Sequence, residues 1–158
     1  MSKQFTTTKG IVFTTIMTVT PLIIGSLVGY FFKPDKWYST LVKPRLTPPP
    51  IAFGIVWPIL YLMIGFSGAL ALYGQTFYFW VIPGLHLITN FLFSPINFGM
   101  HNLLGGSIMV SVTLLLAIIT SLQYLHINNN TYASILMIPY MIWLCFANYL
   151  SWSFWKLN

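Results

Sequence analysis

No lysine, arginine, aspartate or glutamate occurs between Arg45 and Lys156, a stretch that makes up most of the 158-residue chain. A water-soluble domain cannot leave so long a stretch uncharged, because its surface would become one continuous apolar patch. Only 5% of the residues are charged, whereas soluble proteins average about 25%. The sequence therefore predicts an integral membrane protein.

The apolar segments are long enough to cross a bilayer as helices, and short polar turns divide them. We therefore predict one domain over residues 1–158 with an all-α fold, a bundle of five transmembrane helices. The predicted spans are residues 10–32, 51–73, 76–98, 103–125 and 132–155. Because the last four spans are joined by short turns, each helix is expected to pack beside the next one along the chain.

The first loop, residues 33–50, is basic and rich in proline. It cannot be helical through its run of three prolines, because each one lacks a backbone donor and has a fixed φ. Directly after it, Phe53, Trp57 and Tyr61 recur every four residues and share one helix face. A stiff loop beside an aromatic face predicts a lid over a ligand site within the membrane. The predicted lid residues are Trp37, Tyr38, Thr47, Pro48 and Pro49.

The basic side chains are distributed unevenly between the two ends of the predicted bundle. The first loop and Lys156 lie at one end, and Lys3 and Lys9 lie at the other. The excess of lysine and arginine in the first loop predicts that this loop and the C-terminus face the cytoplasm. Charges at the membrane edge favour anionic lipid headgroups over nucleic acid as a partner. The expected location is the bacterial cytoplasmic membrane, or the mitochondrial outer membrane if the chain is eukaryotic.

The spans lack the residues that conventional catalysis needs. Asp35, in the first loop, is the only acidic residue, so a Ser-His-Asp triad within the membrane is excluded. Ion-coupled transport is disfavoured, because it normally uses ionisable residues inside the membrane. The three histidines fall on different elements, so we predict neither a metal site nor a required cofactor.

Polar side chains form one stripe along the third span, at His86, Asn90, Ser94 and Asn97. Two interpretations stay open for this stripe: hydrogen bonds to neighbouring helices, or contact with a ligand. His86 is interpreted as a packing residue in preference to an axial haem ligand.

The tryptophans fall into two groups by depth. Trp152 and Trp155 lie near a membrane edge and are assigned to the interfacial aromatic belt, as are Trp37 and Tyr38. Trp57 and Trp143 lie deeper, where a belt role does not explain them, so they are predicted to stack on a ligand. In the fifth span the small Ala147 follows Tyr140 and Trp143 on the same face and leaves room for a flat molecule.

Ordered motifs run from the first loop to the C-terminus: Trp37-Tyr38, Lys43-Pro44, Thr47-Pro48-Pro49, Phe53-Gly54, Trp57-Pro58, Leu60-Tyr61, Asn90, Ser94-Pro95, Phe98-Gly99, Pro139-Tyr140, Trp143, Phe146-Ala147, Leu150 and Trp155-Lys156-Leu157-Asn158. This set resembles the tryptophan-rich sensory protein family, also called the translocator protein or peripheral-type benzodiazepine receptor family. The resemblance implies a five-helix bundle, a homodimer and a pocket that opens toward the first loop. It also implies binding of tetrapyrroles such as protoporphyrin IX and haem, of sterols in some members, and of isoquinoline or benzodiazepine compounds.

The resemblance, the polar stripe of the third span and the aromatic faces of the second and fifth spans together give a set of predicted ligand-contacting residues: Phe53, Gly54, Trp57, Tyr61, Asn90, Ser94, Trp143, Ala147 and Leu150. The chain departs from the family pattern at Leu46, Phe93, Asn97, Val110 and Ser151. In the family, a tryptophan is usual in place of Leu46 and frequent in place of Phe93, an aromatic residue in place of Asn97 and an asparagine in place of Ser151. We expect these departures to change ligand preference more than the fold.

The sequence thus predicts a membrane receptor or sensor that binds tetrapyrroles in the bundle core, with a role in porphyrin homeostasis or stress response. A light-dependent enzyme that degrades porphyrin through Trp57 and Trp143 is the first alternative. A transporter of porphyrin or sterol is the second.

Overall fold

The computed structural model describes residues 6–158, and within them it contains helices and turns but no strand. The helices are α1 Thr8–Phe31, α2 Lys36–Thr40, α3 Pro50–Leu72, α4 Tyr78–Ser94, α5 Leu103–Leu122 and α6 Thr131–Leu157. One π-helical turn extends α4 over Pro95–Gly99, and another extends α5 over Gln123–Ile127. All except α2 are long and apolar enough to cross a membrane, which confirms the five-span fold. The short helix α2 within the first loop was not predicted.

Polar residues in the turns determine where the later helices begin. Asn102 accepts a hydrogen bond from the backbone N–H of Gly105 at the start of α5. Asn130 caps α6 in the same way, through the N–H of Ala133. At the start of α3, Pro50 occupies the first turn, where its missing N–H leaves no intrahelical bond unmade. These caps lie in the turns that the sequence predicts.

The five long helices form a ring in the order α1, α3, α6, α5, α4, which closes where α4 contacts α1. The expectation that consecutive helices always pack together is therefore wrong for one pair. Helices α3 and α4 make only slight contact, and α3 packs instead against α6. The short turn between α3 and α4 brings their adjoining ends together, but it does not force the helices to pack along their length.

Helices α1 and α3 cross closely at Gly65. A Cβ atom on this glycine would lie within 2.6 Å of the Thr18 carbonyl oxygen and would also meet that of Met17. Nearer the end of the bundle that carries the first loop, Cβ atoms on Gly29 or Gly54 would meet nothing within 4 Å. The two helices are thus tightly packed at Gly65 and leave open space toward the loop.

Candidate functional site

A cavity of about 1080 Å³ lies beneath the first loop and is bordered by all five long helices. With the exception of Trp143, every predicted ligand-contacting residue lines it: Phe53, Gly54, Trp57, Tyr61, Asn90, Ser94, Ala147 and Leu150. The loop residues Tyr38, Thr47, Pro48 and Pro49 cover it, whereas Trp37 does not line it. The structure therefore brings most of the predicted residues to one place, and their roles toward a ligand stay predictions.

Aromatic rings form the wall that α3 contributes. The ring of Trp57 is stacked against that of Tyr61, with centroids 5.5 Å apart and planes inclined by 30°. Trp143 lies outside the cavity lining and packs edge-on against Trp57 at 6.5 Å and against Phe53 at 5.8 Å. Trp57 thus faces the cavity, and Trp143 contacts the residues that do.

The floor of the cavity is a hydrogen-bonded network between α3, α4 and α6. The Tyr61 hydroxyl donates to Asn90 Oδ1 at 3.0 Å. Asn90 Nδ2 donates to the Tyr140 hydroxyl at 2.8 Å, and this hydroxyl lies 2.9 Å from His86 Nε2. Because Tyr140 accepts from Asn90, its own O–H is free to donate to His86. We call these four side chains the floor network.

The floor network bears on the two interpretations of the α4 stripe. Asn90 bonds across to α3 and α6, which confirms interhelical hydrogen bonding for this residue. It also lines the cavity, and its contact with a ligand stays a prediction. His86 is a hydrogen-bonded packing residue with 1% exposure. It lines a separate cavity of about 180 Å³ on the far side of the network, below the roughly 300–1000 Å³ of typical ligand pockets.

Two sets of contacts fasten the first loop to the rest of the bundle. Asp35 caps α2 through the backbone N–H of Tyr38, and His101 Nε2 lies 3.0 Å from the other carboxylate oxygen. The Trp37 ring stacks on His101 with centroids 4.3 Å apart. Farther along the loop, the Asn158 side chain exchanges hydrogen bonds with the backbone N–H and carbonyl of Val42.

The pKa values of two loop residues, Asp35 and Tyr38, are shifted by their surroundings. The backbone N–H of Tyr38, followed by the contact with His101, holds the pKa of Asp35 below its ordinary value against an opposing effect of desolvation. Burial raises the pKa of the Tyr38 phenol, whose ring packs against Phe98 and Phe154. Asp35 is thus ionised at neutral pH and can hold both partners.

Replacing His101 with asparagine is expected to loosen the loop without unfolding the bundle. Asparagine tolerates the positive φ of 51° at this position but is too short to keep the contacts with Asp35 and Trp37. Backbone amides of α2 should exchange hydrogen about twofold to fivefold faster, the effect of losing one exposed side-chain contact. Because the pKa of Asp35 is lowered, the difference between the two proteins should be fully present at pH values above the ordinary pKa of aspartate. It should vanish as the pH falls through the lowered pKa of Asp35.

The matched control for that experiment is His126→Asn. His126 is exposed in the turn after α5, at the other end of the bundle. Equal exchange in α2 for wild type and His101→Asn would show that the Asp35–His101 contact does not hold the loop.

Several lining residues were missed from the sequence, mainly on α1 and on α5. They include Gly25, Gly29, Val110 and Thr113. The spacing of Gly25 and Gly29 was a usable signal, since it predicts close approach by a neighbour. At Gly25 the approaching group is the Tyr61 ring, which occupies the position that a Cβ atom would take.

Comparison with known proteins finds relatives along most of the chain. The model of the TspO/MBR family matches residues 17–156. The tryptophan-rich protein TspO of Bacillus cereus is 35% identical over 127 residues, covering 77% of this chain and 80% of that protein. The uncharacterized membrane protein YtaB of Bacillus subtilis is 33% identical over 141 residues, covering 84% and 88%. The translocator protein of Homo sapiens is 30% identical over 144 residues, covering 85% and 84%. The chain therefore belongs to the TspO/MBR family.

Proposed function

We propose that the protein is a membrane receptor for flat amphiphilic macrocycles, with tetrapyrroles such as protoporphyrin IX and haem as the ligand class. The observation that carries the proposal is the cavity of about 1080 Å³ with an indole face in its wall. Its volume lies at the upper limit of the roughly 300–1000 Å³ found for pockets that bury small molecules. A rigid aromatic ligand fits such a site, because stacking on Trp57 costs it little conformational freedom.

The charge around the cavity favours an anionic substituent at its loop end. Lys33 and Lys43 both line the cavity, and the one acidic residue there, Asp35, is already bonded to His101. Two ammonium groups attract carboxylates such as the propionates of natural porphyrins and raise their rate of capture. Sterols lack such a group, so this feature favours tetrapyrroles over sterols.

The proposal extends to the setting of the site. With the first loop in the cytoplasm, as the distribution of lysine and arginine predicts, ligand would enter from that side. A homodimer would place two such cavities side by side in the membrane. The relatives' names, TspO and translocator protein, describe those proteins and are compatible with a receptor.

Quenching of tryptophan fluorescence by protoporphyrin IX in the dark tests the proposal. Wild-type protein should show saturable binding, and Trp57→Phe should weaken it about threefold to tenfold, the contribution of one aromatic contact. Trp155→Phe is the matched control, because Trp155 is exposed and lies outside the cavity lining. If a Trp57→Phe/Trp143→Phe double variant kept full affinity, ligand would not bind at this wall.

Light-dependent breakdown of the bound porphyrin is a second candidate function. The edge-on contact between Trp57 and Trp143 favours it, because two adjacent indoles can exchange an electron with an excited pigment, while dissolved oxygen is the oxidant that is reduced as the ring is opened. Illuminating the same samples gives the test, in which loss of the Soret band should be slower in the double variant. Equal rates in both proteins would identify ordinary photobleaching.

A further inference from the structure

Asn97 is a buried polar residue whose side-chain amide has no hydrogen-bond partner among its neighbours. It lies in the π-helical turn after α4, is 5% exposed and lines the cavity. Its side chain makes no hydrogen bond with any group in residues 6–158, and its amide atoms are accessible from the cavity. Because amides in protein interiors nearly always have a partner, this one is a candidate for contact with a ligand.

The side chain of Asn97 lies flat against α5. A Cβ atom on Gly106 would meet the Cβ and Cγ atoms of Asn97 at 2.8 Å and would also contact its Oδ1. The backbone of Gly106 therefore covers one side of the amide, and the cavity borders the other. Gly106 thus makes room for Asn97 in the wall.

Ser107, the next residue of α5, bonds a second polar side chain, that of Ser151, at the same height along the bundle. Its hydroxyl donates to the carbonyl of Leu103 at 2.8 Å, which uses its only hydrogen. The Ser151 hydroxyl, 3.1 Å away, must therefore donate to Ser107. Ser151 also lines the cavity, and its oxygen keeps a lone pair that can accept a further bond.

Because Gly106 and Ser107 are consecutive, Asn97 and Ser151 flank a single turn of α5. We propose that Asn97 and Ser151 form a polar subsite that recognises a carbonyl or carboxyl oxygen on the bound ligand. The Asn97 amide donates to that oxygen, and Ser151 accepts from a hydroxyl or amide beside it where the ligand has one. The inference rests on the proposed function and adds a determinant of which ligands are preferred.

This subsite differs in chemistry from the two lysines at the loop end. Lys33 and Lys43 respond to the charge of a carboxylate, and their contribution ends when the carboxylate is esterified. A neutral amide also donates to an ester carbonyl, although more weakly than to a carboxylate. Comparing an ester with an alkyl side chain therefore isolates the subsite, whereas comparing an acid with its ester reports on the lysines and the subsite together.

Three porphyrins with the same ring provide these comparisons: mesoporphyrin IX, its dimethyl ester, and etioporphyrin, which carries only alkyl groups. Dissociation constants are measured by fluorescence quenching in the dark for wild type and Asn97→Leu. We expect the preference for the ester over etioporphyrin to fall about threefold to tenfold in Asn97→Leu, the contribution of one hydrogen bond. Asn97→Ala removes the same amide with a smaller side chain, should lower the preference by a similar factor, and serves as the test if Asn97→Leu fails to fold. Ser151→Ala should leave this preference unchanged, because neither the ester nor etioporphyrin carries an N–H or O–H group for its oxygen to accept.

Asn128→Leu is the matched control, since its amide too has no hydrogen-bond partner but is enclosed by protein at the far end of the bundle. It should leave all three constants unchanged. An unaltered preference in Asn97→Leu and Asn97→Ala, with porphyrin still bound, would overturn the subsite and leave the proposed function standing. The subsite would also be overturned if both variants weakened all three ligands equally, as expected for a merely structural or water-holding role. Failure of wild type to bind any of the three porphyrins would instead contradict the proposed function.

Discussion

Replacing Gly65 with alanine is expected to destabilise the bundle by about 3 kcal/mol, at the upper end of what overpacking a core costs. The added methyl group would meet the carbonyl oxygens of Met17 and Thr18, which are backbone atoms and cannot rotate away as a side chain can. The helices α1 and α3 would have to separate along their interface. The loss appears as a lower midpoint of thermal unfolding in detergent or lipid nanodiscs.

Gly84→Ala is the control for this experiment. Gly84 lies within α4, and a Cβ atom there would meet nothing within 4 Å. Alanine should leave stability unchanged or raise it slightly, because alanine is the better helix former. If the two variants had the same unfolding midpoint, the close crossing of α1 and α3 at Gly65 would be disproved.

Replacing Tyr140 with phenylalanine is expected to cost about 1–3 kcal/mol of stability. Its hydroxyl bonds both His86 and Asn90, and the side chain is 0% exposed, so no solvent replaces the lost partner. Single interhelical hydrogen bonds in membranes contribute about 0.6 kcal/mol on average and up to about 1.7. The loss here is larger than the average, because two buried groups are left unsatisfied at once.

Tyr149→Phe provides the comparison, because Tyr149 is 48% exposed on the outer face of α6. It should unfold at the wild-type temperature. The Tyr140 variant should also weaken ligand binding, since Asn90 lines the cavity and is held in place by that bond. Unchanged stability and unchanged binding in Tyr140→Phe would mean that the floor network does not support the cavity.

The fold class could be predicted because the bilayer places a direct limit on composition. A charge-free stretch divided by polar turns has few solutions in lipid, and the boundaries of all five spans follow from it within a few residues. The ring order could not be obtained in the same way. Whether α3 packs against α4 or α6 depends on the shapes of whole helix faces. The length of a turn does not predict those shapes.

The candidate site shows the same division. Residues that share a helix face with an aromatic or polar stripe, such as Trp57 and Asn90, were found because helical periodicity places them together. Trp143 satisfies the same periodicity and yet lies behind Trp57, because the facing direction of α6 is decided by its neighbours. In the sequence, Asn97 was part of the polar stripe of the third span and Ser151 was a departure from the family pattern, and nothing linked the two positions. Their common position depends on α5.

The floor network also bears on the idea that ligands travel through the protein. Tyr61, Asn90, Tyr140 and His86 extend as a septum between the large cavity and the small one. A macrocycle moving along the bundle axis would have to break all three bonds of the septum and then enter a space too small to hold it. For such a molecule the cavity is a pouch with a closed end, so release must occur by the route of entry or sideways between helices into the lipid.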